Sequence, residues 1–512
     1  MPPSPRTSST RHRPPTDGEA LRRENERLRQ QVEQLRQELK EQANHQSERL
    51  ADKDQEIADA EKKISDLERQ LGLRLQNSTT SSKPPSSDGL AGEQRERGRR
   101  KKSNSKRKPG GQPGHKGACR PLAPAARVDE IRPVLPVACR QCGHGLPQTL
   151  EQAKTSGAAR LHQVTELPPI RARIVEYQCH SVLCPQCGGT TRAAIPEEAA
   201  GQFGPQLTAL IAYLTVVCRM PRRVVETLLE QVLEIDISLG STQKCWEEVS
   251  DAVAAPWQEL AQNLKNEPVV NADETGWRTN AAKQFLWVFV AAKYIVYKIA
   301  PTRSGEVLIE MLGALFEGIL CSDRFSAYIK YHSGRAQFCW AHLKRNLLGV
   351  MELTKNTEVE QFCRDALAEH ARLFRLWHKF RDDRIDRQQL ILRSIPIQKR
   401  LFDLGLGHLD SPHRDVRNLA AALFEHINRL FAFVDYEGVE PTNNSAERAL
   451  RTAVQWRKTS VGNRSAKGEL ATARLLTVTE TCDLQKINIL AYLSAAITSY
   501  RRGQAPASLL PR

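Results

Sequence analysis

The chain has 512 residues, room for several domains and at least one large core. Lys and Arg outnumber Asp and Glu by 75 to 59, a formal net charge of +16, which favours a polyanionic partner such as nucleic acid or an acidic surface. No apolar run approaches a membrane span and the first twenty residues hold no apolar core for export, so a cytoplasmic protein with reduced or metal-bound thiols is expected, not a disulfide framework.

Residues 1–17 are rich in Pro, Ser and Arg and read as a disordered tail. Residues 18–76 carry heptads. Leu21, Leu28 and Leu35 alternate with Asn25, Val32 and Leu39, and a second register runs through Leu50, Ile57, Ile64 and Leu71. The eleven residues from Leu39 to Leu50 are a heptad plus four, a stutter. The pattern predicts a coiled coil and self-association, a solvated helix packed on its own protein being the alternative. Residues 77–118 form a polar and then basic linker. Between Arg95 and Arg120 it holds eleven Lys or Arg against one Glu. Such a tract repels itself and buries nothing, yet neutralises phosphates; Arg99, Arg100, Lys101, Lys102, Lys106, Arg107 and Lys108 are its DNA-contact candidates.

Residues 119–200 read as a zinc-binding module. Cys139 with Cys142, and Cys184 with Cys187, are two-residue-gap pairs, each followed by Gly. That gap lets two thiolates reach one ion, and two pairs complete a structural tetrahedron with no open position for catalysis. The 41 residues between the pairs make a longer loop than a zinc ribbon uses, and Cys179 and His180 are spare ligands. Residues 201–262 read as helices, the last two resembling a helix-turn-helix, with a turn at Gly240 and a cap at Ser241.

From residue 263 the period changes to strands. "PVVNA", "QFLWVFVAAK" and "YIVYKIA" precede the helix "GEVLIEMLGALF" and the strand "GILCSD". Asp273 and Asp323 each end a short apolar strand and are followed by a polar turn and an aromatic. Three strands, a helix and a strand is the order of a ribonuclease H-like core, whose first and fourth strands are neighbours. Glu447, on a later helix in "EPTNNSAERALR", supplies a third carboxylate. Three such groups repel one another without a cation, whereas magnesium takes oxygen ligands and phosphate together and two ions clamp a phosphodiester displacement. Other readings stand beside this one. In these, Asp273 and Asp323 each close their own turn, and Glu447 caps its helix with Asn444 or pairs with Arg451.

The sequence resembles the large transposase of the bacterial insertion-sequence family sixty-six, an Asp-Asp-Glu transposase. The resemblance runs over most of the chain through "NSTTSSKPPSSDG", "RKPGGQPGHKG", "CRQCG", "CPQCG", "ADETGWR", "CWAHLKR" and "NNSAERALR…WRKTSVGNRSAKG". It implies a multidomain protein with an α/β ribonuclease H-like catalytic core, split into 263–338 and 441–482 by a helical insertion over 339–440 and followed by a C-terminal helix and tail, 483–512. It implies a catalytic triad at Asp273, Asp323 and Glu447 with Mg2+ or Mn2+. The reaction would be hydrolytic cleavage at element ends and transfer of the 3′-hydroxyl into target DNA, by a nucleoid-associated protein; whether accessory proteins of the element join it stays open at this point. The alternative is a catalytically idle DNA-binding protein of the same fold. Around the second acid the family has acid-Gly-aromatic, where this chain has "SDRFSAY", which leaves the local turn open.

Cys339 and His342, three apart in "CWAHLKRNL", read as supporting residues behind the metal ligands or as satisfied core residues. Lys344, Arg345, Arg448, Arg451, Arg457 and Lys458 are further DNA-contact candidates, against a solvated basic face.

Overall fold

The computed structural model describes residues 17–75, 114, 115, 117, 120–199, 201–331, 334–353, 356–460 and 462–511. The tail expected over 1–17 and the basic run Arg99, Arg100, Lys101, Lys102, Lys106, Arg107 and Lys108 lie outside the described residues, apart from Asp17. The chain divides into two units, one of residues 1–89 and 345–367, the other of residues 90–344 and 368–512.

In the first unit, α1 (Asp17–Leu75) is one helix of 59 residues. Leu21, Leu28, Val32, Leu35, Leu39, Leu50, Ile57 and Ile64 are all exposed along it. Both expected registers therefore lie on a single uninterrupted helix with an apolar seam open to solvent.

In the second unit, the described residues of 120–199 include no buried side chain. Their regular structure is a short antiparallel hairpin, β1 (Ser181–Leu183) with β2 (Thr190–Arg192), an isolated bridge between Ala138 and Gly145, and single 3-10 turns at Ala125–Arg127 and Glu197–Ala199. Next come α2 (Pro205–Val216), α3 (Arg222–Leu233), α4 (Leu239–Ala252) and α5 (Ala254–Asn263). Ile211, Val225, Leu229, Ile237 and Cys245 give α2, α3 and α4 a small core of their own. The cap of α4 is Ser238, whose Oγ accepts the Ser241 N–H at 3.2 Å, so the expected turn at Gly240 and cap at Ser241 shift upstream into the first helical turn.

A mixed five-stranded sheet carries the main core. Its strands are β3 (Val269–Thr279), β4 (Ala282–Val290), β5 (Ile295–Ala300), β6 (Ile319–Ser322) and β7 (Ala336–Phe338), in the order β5-β4-β3-β6-β7. β4 runs antiparallel to β3 and to β5, whereas β6 is parallel to β3 and β7 to β6. Contrary to expectation, Asp273 does not end a strand, because β3 pairs with β4 from Asn271 through Thr279. The reversal falls at Asn280 and Ala281, both with positive φ (46° and 69°), the two-residue turn whose twist suits a hairpin.

The short helices α6 (Gly305–Leu312) and α7 (Ser326–Tyr331) flank β6. After β7 come α8 (Trp340–Leu353) and α9 (Thr357–Arg381), in which residues 345–367 belong to the first unit, and then α10 (Arg387–Leu406), α11 (Arg414–Glu425) and α12 (Ile427–Asp435) of the second. Buried Gln337 ties β7 to α12, donating to Leu430 O and accepting from the Phe433 N–H. α13 (Asn444–Ser460), α14 (Ala466–Leu484) and α15 (Ile489–Arg501) complete the unit.

α14 also finishes the sheet edge. Thr477 and Thr481 hydroxyls accept the Tyr297 and Ile295 N–H groups at 2.9 and 3.1 Å, satisfying outer-edge donors of β5 that would otherwise invite another strand. Among the described residues no helix is long and apolar enough to cross a membrane.

Candidate metal centre

The site is built by strand register. Val269 pairs with Ile319, Val270 with Leu320 and Asn271 with Cys321 in the parallel β3–β6 ladder. Two steps further along both chains stand Asp273 and Asp323, level with each other where β6 ends. Each carboxylate also makes a local bond. Asp273 Oδ1 accepts the Glu274 N–H at 2.9 Å, and Asp323 Oδ1 accepts the Phe325 N–H at 2.8 Å. The turn-closing reading thus holds for Asp323 together with its place at the site, and it accounts for a tight turn without the glycine of the resembled pattern.

Alternation sends the neighbours of Asp273 to the other face of β3. There buried Glu274 accepts the Tyr328 hydroxyl and the Arg303 guanidinium, and Arg303 lies over the Phe325 ring at 4.0 Å. Burial pushes the Glu274 carboxyl up, while Tyr328 and Arg303 act the other way. Asp273 is half-buried, and its pKa is raised well above the ordinary carboxylate range. Burial is the main cause, with the charges of Glu274, Asp323 and Glu447 adding to it.

Glu447 reaches this end of the sheet through a residue that sequence patterns do not single out. Asn443 immediately precedes α13 and is buried. Its Nδ2 donates to Ala272 O at 2.8 Å and its Oδ1 accepts from Asn271 Nδ2 at 2.9 Å, gripping β3 at the two positions before Asp273. Its backbone N–H points to Cys339 Sγ at 3.1 Å. The alternative reading of Asn444 as the helix cap differs from the structure, in which Asn444 is the first helical residue and the preceding Asn443, whose O accepts the Glu447 N–H, gives its side chain to the strand. The signal is the doubled Asn of "NNSAER", which supplies an anchor and a helix start where a single cap is expected.

His342, in the first turn of α8, holds Nδ1 3.6 Å from Glu447 Oε1. Cys339 stands just before α8, its thiol pushed up to about 11 by burial. Ligand atoms of Cys339, His342 and Glu447 all lie within 4.8 Å of one another, the one such grouping of three or more among the described residues. The oxygens of Asp273, Asp323 and Glu447 do not close to that distance together. The three acids share one end of the sheet, and Glu447 leans toward the Cys339–His342 pair. As donors the carboxylates are hard oxygens with mutual repulsion that a divalent cation relieves, so the residues present fit magnesium or manganese.

The four zinc candidates form two matching knuckles. Cys139 O accepts the Gly143 N–H and Cys184 O the Gly188 N–H, both at 2.9 Å. Gly143 and Gly188 have φ of 73° and 69°, a conformation that favours glycine. Hydrogen bonds from Gln141 and Cys142 pull the Cys139 thiol down, and those from Cys187 and Gln186 do the same for Cys184. Each knuckle suits one ion edge, but the two pairs do not converge within 4.8 Å among the described residues, and neither Cys179 nor His180 joins them.

Of the basic candidates, Arg448, Arg451, Lys458 and Lys344 are exposed, and Arg345 is half-buried. Arg457 is engaged by the fold, its guanidinium donating to Gly276 O and reaching Thr275 Oγ1.

Fold and site together describe a mixed α/β protein with helices in the majority, whose central parallel strands gather carboxylates at one sheet end. The chain belongs to the transposase IS66 family, whose model matches residues 200–471; a family of unknown function, DUF6444, matches residues 12–121. It is similar to two uncharacterized proteins of Sinorhizobium fredii (strain NBRC 101917 / NGR234). For y4qI the identity is 26% over 298 residues, 50% of this chain and 54% of that protein. For y4jD it is 26% over 220 residues, 41% of this chain and 42% of that protein. The chain thus matches about half the length of these curated relatives.

Proposed function

We propose that this protein is a DNA transposase that cuts the ends of its element and joins them to target DNA, with Asp273, Asp323 and Glu447 as the catalytic acids of a ribonuclease H-like core. The observation that carries this is the β3–β6 register, which sets two aspartates level across parallel strands while Asn443 brings the helix of the third acid against the same strand. The sheet order, with its one antiparallel strand beside β3, supports the ribonuclease H-like reading.

Divalent ions held there, Mg2+ or Mn2+, would supply charge stabilisation to the attacking and leaving oxygens. The first displacement forms a bond from a water oxygen to phosphorus and breaks the bond to the 3′ oxygen, leaving a 3′-hydroxyl and a 5′-phosphate. The second repeats this with that hydroxyl as nucleophile on a target phosphate, displacing the target's 3′ oxygen. Asp273 and Asp323 would hold the ions at the end of the sheet. Glu447 swings from His342 toward the aspartates to complete the set, with His342 and Cys339 steering it. Arg448, Arg451, Lys458, Lys344 and Arg345 hold flanking phosphates, joined by the basic run from Arg99 to Lys108. Cys139, Cys142, Cys184 and Cys187 share a structural Zn2+, and α1 joins copies of the chain through its exposed seam.

The test is a divalent-ion titration of strand cleavage on element-end DNA, comparing the chain with Asp273→Asn, Asp323→Asn and Glu447→Gln. Each variant should lose at least about 10³-fold in cleavage rate while DNA affinity stays. Cleavage that survives all three changes would sink the triad, and binding without any metal-dependent cleavage by the unmodified chain would favour an idle DNA-binding protein. For α1, deleting residues 18–76 should lower the assembly mass in sedimentation; an unchanged mass removes that part.

A further inference from the structure

A second concave site shares no residue with the acids. It is a cavity of about 700 Å³ between the start of α3, the start of α4, the end of α13 at Thr459 and Ser460, and Gly462, Asn463, Arg464 and Ser465 ahead of α14. Its lining holds Arg222, Arg223 and Arg464 and, among the described residues, no Asp or Glu.

Three helices of 12, 14 and 19 residues begin at this cavity: α3 at Arg222, α4 at Leu239 and α14 just after Ser465. A helix start exposes backbone N–H groups and carries about half a positive charge, which draws anions. α3 has no side-chain cap, so its first N–H groups keep their need for acceptors. Two side chains of the lining add to that need. Trp246 is 2% exposed and its indole N–H has no hydrogen-bond partner among the described residues, and neither has Arg222 Nε. Arg222 sits over the Trp246 ring at 4.7 Å, which fixes the guanidinium against the cavity wall. Glu247, whose charge acts on Arg222 from outside the lining, pairs with Lys467 at 2.7 Å and accepts the Gln243 amide at 2.6 Å.

The cavity is also preformed. Asn463 is strapped to the end of β3: its N–H donates to Arg278 O at 2.9 Å, its O accepts the Asn280 N–H at 2.9 Å, and its Oδ1 accepts the Trp277 indole N–H at 2.6 Å. Gly462 has φ of 97°, and a Cβ there would lie 2.3 Å from Arg278 O, so only glycine permits this approach. The walls next to the cations are apolar, including Trp456 and Met220, while Arg223, Thr459, Ser460 and Arg464 form an exposed rim. Donors, positive helix ends and an apolar wall in a space of this size match one phosphate with its nucleoside. An exposed rim lets a strand enter and leave, which an enclosed nucleotide site would not.

We propose that this cavity seats one nucleotide unit of a DNA strand, its phosphate among Arg222, Arg223 and Arg464, and so joins α3, α4 and the loop after α13 into one DNA grip. This rests on the DNA reading above and adds where the strand is held away from the acids.

The experiment measures anisotropy of a fluorescein-labelled 30-base-pair duplex with the full chain across a KCl series, for the unmodified protein and for Arg223→Ala/Arg464→Ala. Both arginines are exposed, and matching melting curves verify that the double variant folds. Affinity should fall at least tenfold, and the plot of log affinity against log salt should flatten by about 0.9, the share of the one phosphate no longer neutralised. An unmodified chain that binds duplex with a double variant of equal affinity and slope overturns the cavity proposal and leaves DNA binding intact. A chain that fails to bind duplex at low salt overturns the reading beneath it. A third arm adds dAMP alone: binding that needs the two arginines, with duplex affinity unchanged, makes the occupant a free nucleotide and overturns the strand.

Discussion

The two candidate metal sites of the second unit rest on opposite kinds of structure. At the carboxylates, the elements are held by packed strands and by a buried Asn443 with bonds to Asn271, Ala272 and Cys339. The described residues of 120–199 have local knuckle bonds, a three-residue hairpin and no buried side chain. A segment that buries nothing gains little from the hydrophobic effect and must take its order from elsewhere. The fold thus sets the carboxylates at one sheet end without an ion, with Glu447 still toward Cys339 and His342, whereas on the proposed reading the two thiol pairs would be drawn together by an ion.

The largest effect that distinguishes them is metal removal. Chelating zinc, or changing Cys139→Ser with Cys184→Ser, should abolish amide-exchange protection across 120–199 and leave β3, β4 and β5 protected. Structural zinc carries on the order of 10 kcal/mol in small modules, enough for an all-or-none response. Unchanged metal content or protection in the variant breaks the comparison.

A smaller effect is expected at the anchor of the oxygen site. Asn443→Ala removes side-chain bonds to Ala272 O and Asn271 and leaves buried polar groups unmatched, a loss of about 3 kcal/mol in urea unfolding. Cleavage should fall with it, because α13 loses its hold on β3. A variant of unchanged stability would show that Glu447 is placed by other contacts.

The smallest effect concerns pH. The Asp273 carboxyl is raised in the folded chain, so between the ordinary carboxylate range and that raised value the folded state holds a proton that the unfolded state has released. Stability without divalent ions should therefore decline as pH rises through that window, and be fully recovered below it. Asp273→Asn should flatten the decline and raise the melting temperature by a few degrees above it. Added Mg2+ should flatten it in the unmodified chain. An Asn variant less stable than its parent at every pH would contradict the burial and repulsion assigned to Asp273.

These sites were legible in the sequence to different depths. Heptads declare α1 because a seam repeats every seven residues whatever it meets, and strand-helix-strand order was visible in apolar runs bounded by polar turns. The length of β3 was not, since "DETG" has turn chemistry and only pairing with β4 keeps it extended. The true reversal at Asn280-Ala281 includes an alanine at positive φ, which no local preference announces. Asn443 was hidden for a related reason: an Asn before a helix reads as a cap, and its use by a strand 171 residues away is a tertiary fact. The cavity at Arg222 was equally silent, because it exists only where three helix starts meet.

The central claim is that Asp273, Asp323 and Glu447 bind a common divalent ion. Anomalous diffraction from crystals of the full chain soaked in Mn2+ tests it most directly. The expected peak lies between the Asp273 and Asp323 carboxylates with Glu447 turned toward it, and disappears in Asp273→Asn. A peak held by Cys339, His342 and Glu447, with none at the two aspartates, would contradict the account.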